Sequence, residues 1–201
     1  MSLETVLQQR SDIWRGGLSA PPGQRAGATT GHEALDRLLP GGWPRGALTE
    51  LLLEREGIGE LQLVLPALVR LSRAGGRLAW VAPPYLPYAP ALVNAAVDLS
   101  RLLIVRAATA ADRLWALEQI LRSGTCEAVL GWIAEPMRGK ALRRLQLAAE
   151  THDALAFLYR PDEAADHASP AALRLRLVPH PAGLAVHVLK ARGTWQRGHT
   201  V

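Results

Sequence analysis

The stretch that decides the fold is Ala47-Leu48-Thr49-Glu50-Leu51-Leu52-Leu53-Glu54-Arg55-Glu56-Gly57-Ile58-Gly59-Glu60-Leu61. Its first seven residues are mostly apolar, as in a strand buried on both faces of a parallel sheet. From Leu61 onward, apolar residues recur at 64, 65, 68 and 71, the stripe of an amphipathic helix. A strand, a glycine-bearing loop and a helix in this order form the place where an α/β fold puts a phosphate-binding loop. Such a loop needs glycines for backbone N–H donors, then Lys and Ser/Thr for phosphate and Mg²⁺. Gly57 and Gly59 are present, but Glu60 stands where the lysine belongs and Leu61 where the hydroxyl belongs. The two lysines of the chain, Lys140 and Lys190, lie far away. Glu54, Glu56 and Glu60 would repel a triphosphate where a cationic clamp is required, and Arg55 offsets only one of them. The expectation is a degenerate phosphate loop, a protein that turns over no nucleotide, and no cofactor.

Outward from this segment, strands and helices alternate. Strands are expected at 78–82, 102–105, 128–133 and 154–159. Helices are expected at 91–97, around Leu114–Leu121 and around Leu142–Ala149. Pro83–Pro90 is a proline-rich loop. The segments 172–178 and 184–189 alternate more strictly around a turn and read as a hairpin. The fold class is therefore α/β, a mostly parallel sheet flanked by helices with a C-terminal antiparallel hairpin. Upstream, Thr30 is expected to cap a short helix containing Leu35, Leu38 and Leu39. Residues 1–29 read as an arm and a Gly/Pro linker, 30–192 as the folded domain and 193–201 as a basic tail.

At 201 residues and 49% hydrophobic, the chain can bury a sizeable core without staples. One cysteine, Cys126, excludes an internal disulfide framework and is expected to be buried filler. No apolar run approaches the roughly 20 residues of a membrane span, and Met1-Ser2-Leu3-Glu4 lacks a signal-peptide pattern, so a cytoplasmic protein is expected. The charge is uneven. Residues 169–201 hold Arg174, Arg176, Lys190, Arg192 and Arg197 and no acid, which accounts for the whole net charge of +5. Such an excess can attract nucleic acid or an acidic partner. Weak or indirect DNA contact is one expectation for it, with Arg174, Arg176 and Arg192 as candidate contacts. His180 and His187, read as facing each other across the hairpin, lack a third ligand and make a poor metal site. Trp80 and Trp132 are expected in the core. Trp14, Trp43 and Trp195 fall in or beside loops, where they could anchor an interface or pack over the domain edge. Trp115 on its helix fits either place.

A set of motifs then carries a resemblance. Thr30-Gly31-His32-Glu33-Ala34-Leu35-Asp36, Gly41-Gly42-Trp43-Pro44-Arg45-Gly46 and Thr49-Glu50-Leu51 resemble the start of the RecA-type ATPase core. Gly57-Ile58-Gly59-Glu60, Leu65-Pro66-Ala67-Leu68, Val129-Leu130-Gly131-Trp132 and Phe157-Leu158-Tyr159-Arg160-Pro161 resemble the SulA/ImuA branch of that superfamily. The resemblance covers roughly residues 30–190. It implies a RecA-like core that has lost its machine. The P-loop lysine position is Glu60, the catalytic glutamate falls near Pro84, the Mg²⁺-binding aspartate is replaced in Gly131-Trp132, and the γ-phosphate sensor falls near Arg160. The DNA-binding loop of RecA is reduced to residues 162–169.

Because SulA proteins are shorter and lack the Gly-Gly-Trp-Pro-Arg-Gly turn, that turn favours the ImuA side. The implied function is a non-catalytic accessory role in SOS-induced, error-prone translesion synthesis. Its implied partners are an ImuB-like polymerase relative and a DnaE-type polymerase, with RecA a further candidate. The alternatives are a SulA-type division inhibitor that caps the tubulin-like FtsZ, and a divergent ATPase. By analogy with the segment ahead of the RecA core, residues 3–15 would be a docking arm anchored by Ile13 and Trp14.

Overall fold

A computed structural model of the chain describes residues 27–39, 41–137 and 139–191. Seven strands form one sheet: β1 (Ala47–Leu53), β2 (Leu78–Val81), β3 (Leu102–Val105), β4 (Ala128–Trp132), β5 (Leu155–Pro161), β6 (Leu173–His180) and β7 (Gly183–Ala191). The helices are α1 (Glu33–Leu38), α2 (Glu60–Arg73), α3 (Ala89–Asn94), α4 (Ala110–Ser123) and α5 (Gly139–Thr151). The strand order is β3-β2-β4-β5-β1-β6-β7. Every neighbouring pair is parallel except β6 and β7, which form the antiparallel hairpin. The fold class is the one the alternation of apolar segments implied.

Strand β1 is buried at all seven positions, because β5 and β6 flank it and helices cover both faces. On one face, α1, α2 and α3 pack Leu35, Val64, Leu68 and Leu92 against Leu51, Phe157 and Leu175. On the other, α4 and α5 pack Leu117, Leu121, Leu142 and Leu145 against Leu48, Val129 and Leu158. The sheet therefore separates two apolar layers, as a parallel sheet must when its crossovers run on both sides.

Several local expectations are corrected. The N-cap of α1 is His32 rather than Thr30, and its side chain makes no capping bond. The Thr30 hydroxyl instead accepts from the His32 N–H at 3.1 Å. Trp43 is fully buried, packed edge-on against Phe157 with ring centroids 5.1 Å apart, so it belongs to the core. His180 pairs with Gly183 and His187 with Arg176, so the two histidines do not face each other. The hairpin turn is shorter than the sequence suggests, and that changes the register. Among the described residues no group of histidine, cysteine and carboxylate side chains could hold a metal ion. No helix among them is long and apolar enough to cross a membrane.

Candidate functional site

Past the C-terminal end of β1, the chain runs through exposed Glu54, Arg55, Glu56 and Gly57 before α2 begins at Glu60. Gly57 and Gly59 adopt φ values of 79° and 97°, in the left-handed region that favours glycine. Such a loop turns consecutive N–H groups toward one point, the geometry that cradles an anion. Here the anion is the chain's own. The Glu60 carboxylate accepts from the Gly57 N–H at 3.0 Å and from the Ile58 N–H at 2.9 Å. Glu60 is buried, so these two donors and its carboxylate satisfy each other away from water. The residue that stands where a phosphate loop would carry lysine instead plugs its own loop, taking the Gly57 and Ile58 N–H groups.

Beside the plug stands an aromatic layer. Trp132, at the end of β4, stacks on Tyr159 of β5 with centroids 4.8 Å apart, and on its other side lies 5.9 Å from Trp80. The Tyr159 hydroxyl donates to the Glu60 carbonyl at 3.4 Å. Burial first, and the Glu60 carboxylate second, push the Tyr159 phenol well above its ordinary value, so it stays neutral. At the level where the resemblance would put a Mg²⁺-binding carboxylate, an indole ring closes the surface.

Arg160 follows Tyr159. Its Nη1 donates to Glu50 Oε1 at 2.7 Å, and Arg174 Nε donates to Glu50 Oε2 at 2.6 Å. All three groups are buried. Arg174 also donates to the carbonyls of Ala164 at 2.6 Å and His167 at 3.0 Å, which pins the 3₁₀ turn Asp162–Asp166 onto β6. Arg174 is thus an internal strut on the β1 end of the hairpin. Arg176 is half-exposed and pairs with Asp162 at 2.7 Å. Lys190 donates to the Ser169 carbonyl at 2.8 Å. Those three of the five C-terminal cations are engaged within the fold. The other two, Arg192 and Arg197, lie outside the described residues, as do Ile13 and Trp14 of the arm.

Sequence reasoning missed the main exposed feature. Tyr85, Leu86 and Tyr88, in the loop after β2, are 70%, 74% and 72% exposed, and Val93 on α3 adds to them. The signal was available, since large apolar side chains alternate with prolines that hold the loop extended. The loop borders a cleft of about 800 Å³ at the C-terminal ends of the strands. Trp115, on α4, is exposed as well.

With the geometry in place, the comparisons bear on function. Residues 46–156, more than half of the chain, match the family described as "Cell division inhibitor SulA". The chain is 30% identical over 117 residues to the cell division inhibitor SulA of Photorhabdus laumondii, covering 58% of this chain and 66% of that relative. It is 32% identical over 104 residues to that of Edwardsiella piscicida, covering 51% and 61%. It is 27% identical over 120 residues to that of Serratia marcescens, covering 60% and 71%. The chain therefore spans a little under two thirds of the first two relatives' own length. These matches overturn the translesion expectation, together with its ImuB-like, DnaE-type and RecA partners. The Gly-Gly-Trp-Pro-Arg-Gly turn that favoured that reading ends where the family match begins, so it carries no weight within the matched region. A family match over more than half of its length settles the lineage: the chain belongs to the SulA family.

Proposed function

We propose that this protein is a non-enzymatic, cytoplasmic inhibitor of cell division in the SOS response, acting by binding the tubulin-like FtsZ and blocking its polymerisation. The observation that carries the reading is the SulA match over residues 46–156. The exposed Tyr85, Leu86, Tyr88 and Val93 support it. Large apolar side chains exposed close together in sequence suit a protein-binding surface, and tyrosines are favoured anchors in such surfaces.

The plugged cradle supports the absence of catalysis. ATP would have to displace a buried carboxylate from two N–H donors, with Glu54 and Glu56 beside it and no lysine to balance the charge.

Sedimentation of purified FtsZ polymers with GTP tests the proposal. Increasing amounts of this protein should remove polymer from the pellet in near-stoichiometric fashion. The double variant Tyr85→Ser/Leu86→Ser should need at least tenfold more protein for the same effect. Unchanged polymer mass at a molar excess of the wild-type chain overturns the reading.

A further inference from the structure

The cleft beside the aromatic loop has a topological origin. From β2 the chain runs to α3, whose Leu92 packs on one face of the sheet. From the adjacent β4 it runs to α5, whose Leu142 and Leu145 pack on the other face. Neighbouring strands whose onward chains diverge in this way open a crevice past their carboxyl ends, the usual ligand position in an open α/β sheet. A cleft of about 800 Å³ lies there, lined by both sets of loops.

Its lining combines apolar and cationic groups. Pro84, Tyr85, Leu86 and Ile104 make an apolar wall, with Trp132 and Tyr159 beside it. Arg55, Arg106, Arg113 and Arg160 supply four guanidinium groups, Arg55 standing between Glu54 and Glu56 in the exposed loop. Arg113 shares its charge with Glu135 at 3.0 Å, and Arg160 with Glu50 at 2.7 Å. Arg106 is exposed at the end of β3, and no carboxylate among the described residues pairs with it within 4.0 Å. The Nε of Arg160 is buried and has no hydrogen-bond partner among the described residues. At the lip, Ala82 has φ 51°, a strained conformation for a residue with a Cβ. Backbone strain of this kind collects at ligand sites.

The same lining limits what can enter. Glu54 and Glu56 also border the cleft, which disfavours a polyanion such as a phosphate chain or nucleic acid. The nearby phosphate cradle is filled by Glu60. Isolated carboxylates spaced by apolar side chains fit instead, since the lining offers both guanidinium groups and apolar surface.

We infer that this cleft receives an extended segment of FtsZ bearing carboxylates between apolar side chains, with Arg106 as its main charged contact. The inference rests on the proposed function, because the exposed loop that meets the partner there forms one wall of the cleft. It adds a specific, charge-reading site to that apolar surface.

The test uses the full chain and purified FtsZ in an equilibrium binding measurement. Arg106→Glu should weaken binding at least tenfold and leave thermal unfolding unchanged, since the side chain is exposed. Arg106→Lys should keep binding within about threefold of wild type. Glu56→Lys, at the acidic rim, should tighten binding at low salt. If the wild-type chain binds FtsZ and Arg106→Glu binds equally well, this inference fails while the proposed function stands. If the wild-type chain does not bind FtsZ, the proposed function fails and this inference falls with it.

Discussion

Glu50 on β1 and Arg174 on β6 are direct partners across the parallel ladder, and their side chains meet at 2.6 Å in the interior of the sheet. Arg160 reaches the other carboxylate oxygen from β5, on the opposite side of β1. One buried acid thus ties three adjacent strands. Its removal leaves two buried guanidinium groups without a counter-charge. Breaking such a buried pair typically costs about 3–5 kcal/mol. Glu50→Gln is expected to lose stability in that range, measured as a lower urea midpoint at an unchanged slope. A loss below about 1 kcal/mol would mean that water replaces the carboxylate at little cost.

The plug at the head of α2 makes a prediction about nucleotide. Isothermal titration with ATP and Mg²⁺ should show no binding heat at tens of micromolar protein. Glu60→Lys alone should not create turnover, because Pro84 and Trp132 stand where the resemblance requires carboxylates. A dissociation constant below about 100 μM, roughly −5.5 kcal/mol, would refute the inert reading.

Ala96 ends α3 in the left-handed region at φ 69°. Its N–H bonds to the Val93 carbonyl at 2.8 Å, and the Val97 N–H reaches back to Leu92 at 3.0 Å, the bonding of a Schellman motif. Glycine is the usual occupant of that position. Ala96→Gly removes a Cβ penalty of about 1–2 kcal/mol and adds an unfolded-state entropy cost of roughly 0.5–1 kcal/mol. A net gain of about 0.5–1 kcal/mol is expected, seen as a melting point higher by ~2 °C. A lower melting point would contradict the strain argument.

Asp36 gives a pH dependence with a definite sign. Burial pushes its carboxyl up, but the Thr29 hydroxyl at 2.6 Å and the Thr30 N–H at 2.7 Å outweigh it and hold the group below its ordinary value. The unfolded chain then binds the proton more readily, so stability rises with pH through this window. The contribution is complete above the ordinary Asp value of about 3.9 and is lost as pH falls through the lower folded value. The melting-point gap between wild type and Asp36→Asn should be widest near neutrality and narrow below about pH 4. A gap that is flat from pH 7 to pH 3 would show that Asp36 is not linked to folding.

Much of this architecture is local and could be read from residue order. The Ala47–Leu53 strand occupies the expected residues, since a strand covered on both faces needs a nearly continuous apolar run, and the edge strand Leu102–Val105 does so too although Leu103 is exposed. The helices α2, α4 and α5 begin before and end after their expected apolar stripes, because their terminal turns are polar and carry no periodic signal. The strand, glycine-bearing loop and helix around Gly57 and Gly59 were equally legible, because all three are contiguous in the chain.

Other features depend on which segments meet. Arg174 counts as a surface cation in any tally of charge, yet Glu50, 124 residues earlier, draws it inside. Trp43 stands among turn residues, and Phe157, more than 100 positions later, packs against its ring in the core. The Tyr85–Tyr88 loop lies past the end of β2, where no helix among the described residues covers it, and that depends on strand order. The sequence by itself determined the alternation of strand and helix and the absence of a lysine and hydroxyl at positions 60 and 61. Each follows from side chains within one turn or one strand. The tertiary structure alone decided that β5 lies between β4 and β1, that Glu50 gathers two arginines, and that Glu60 fills the cradle. Packing and hydrogen-bond geometry join residues whose separation along the chain carries no record of their contact.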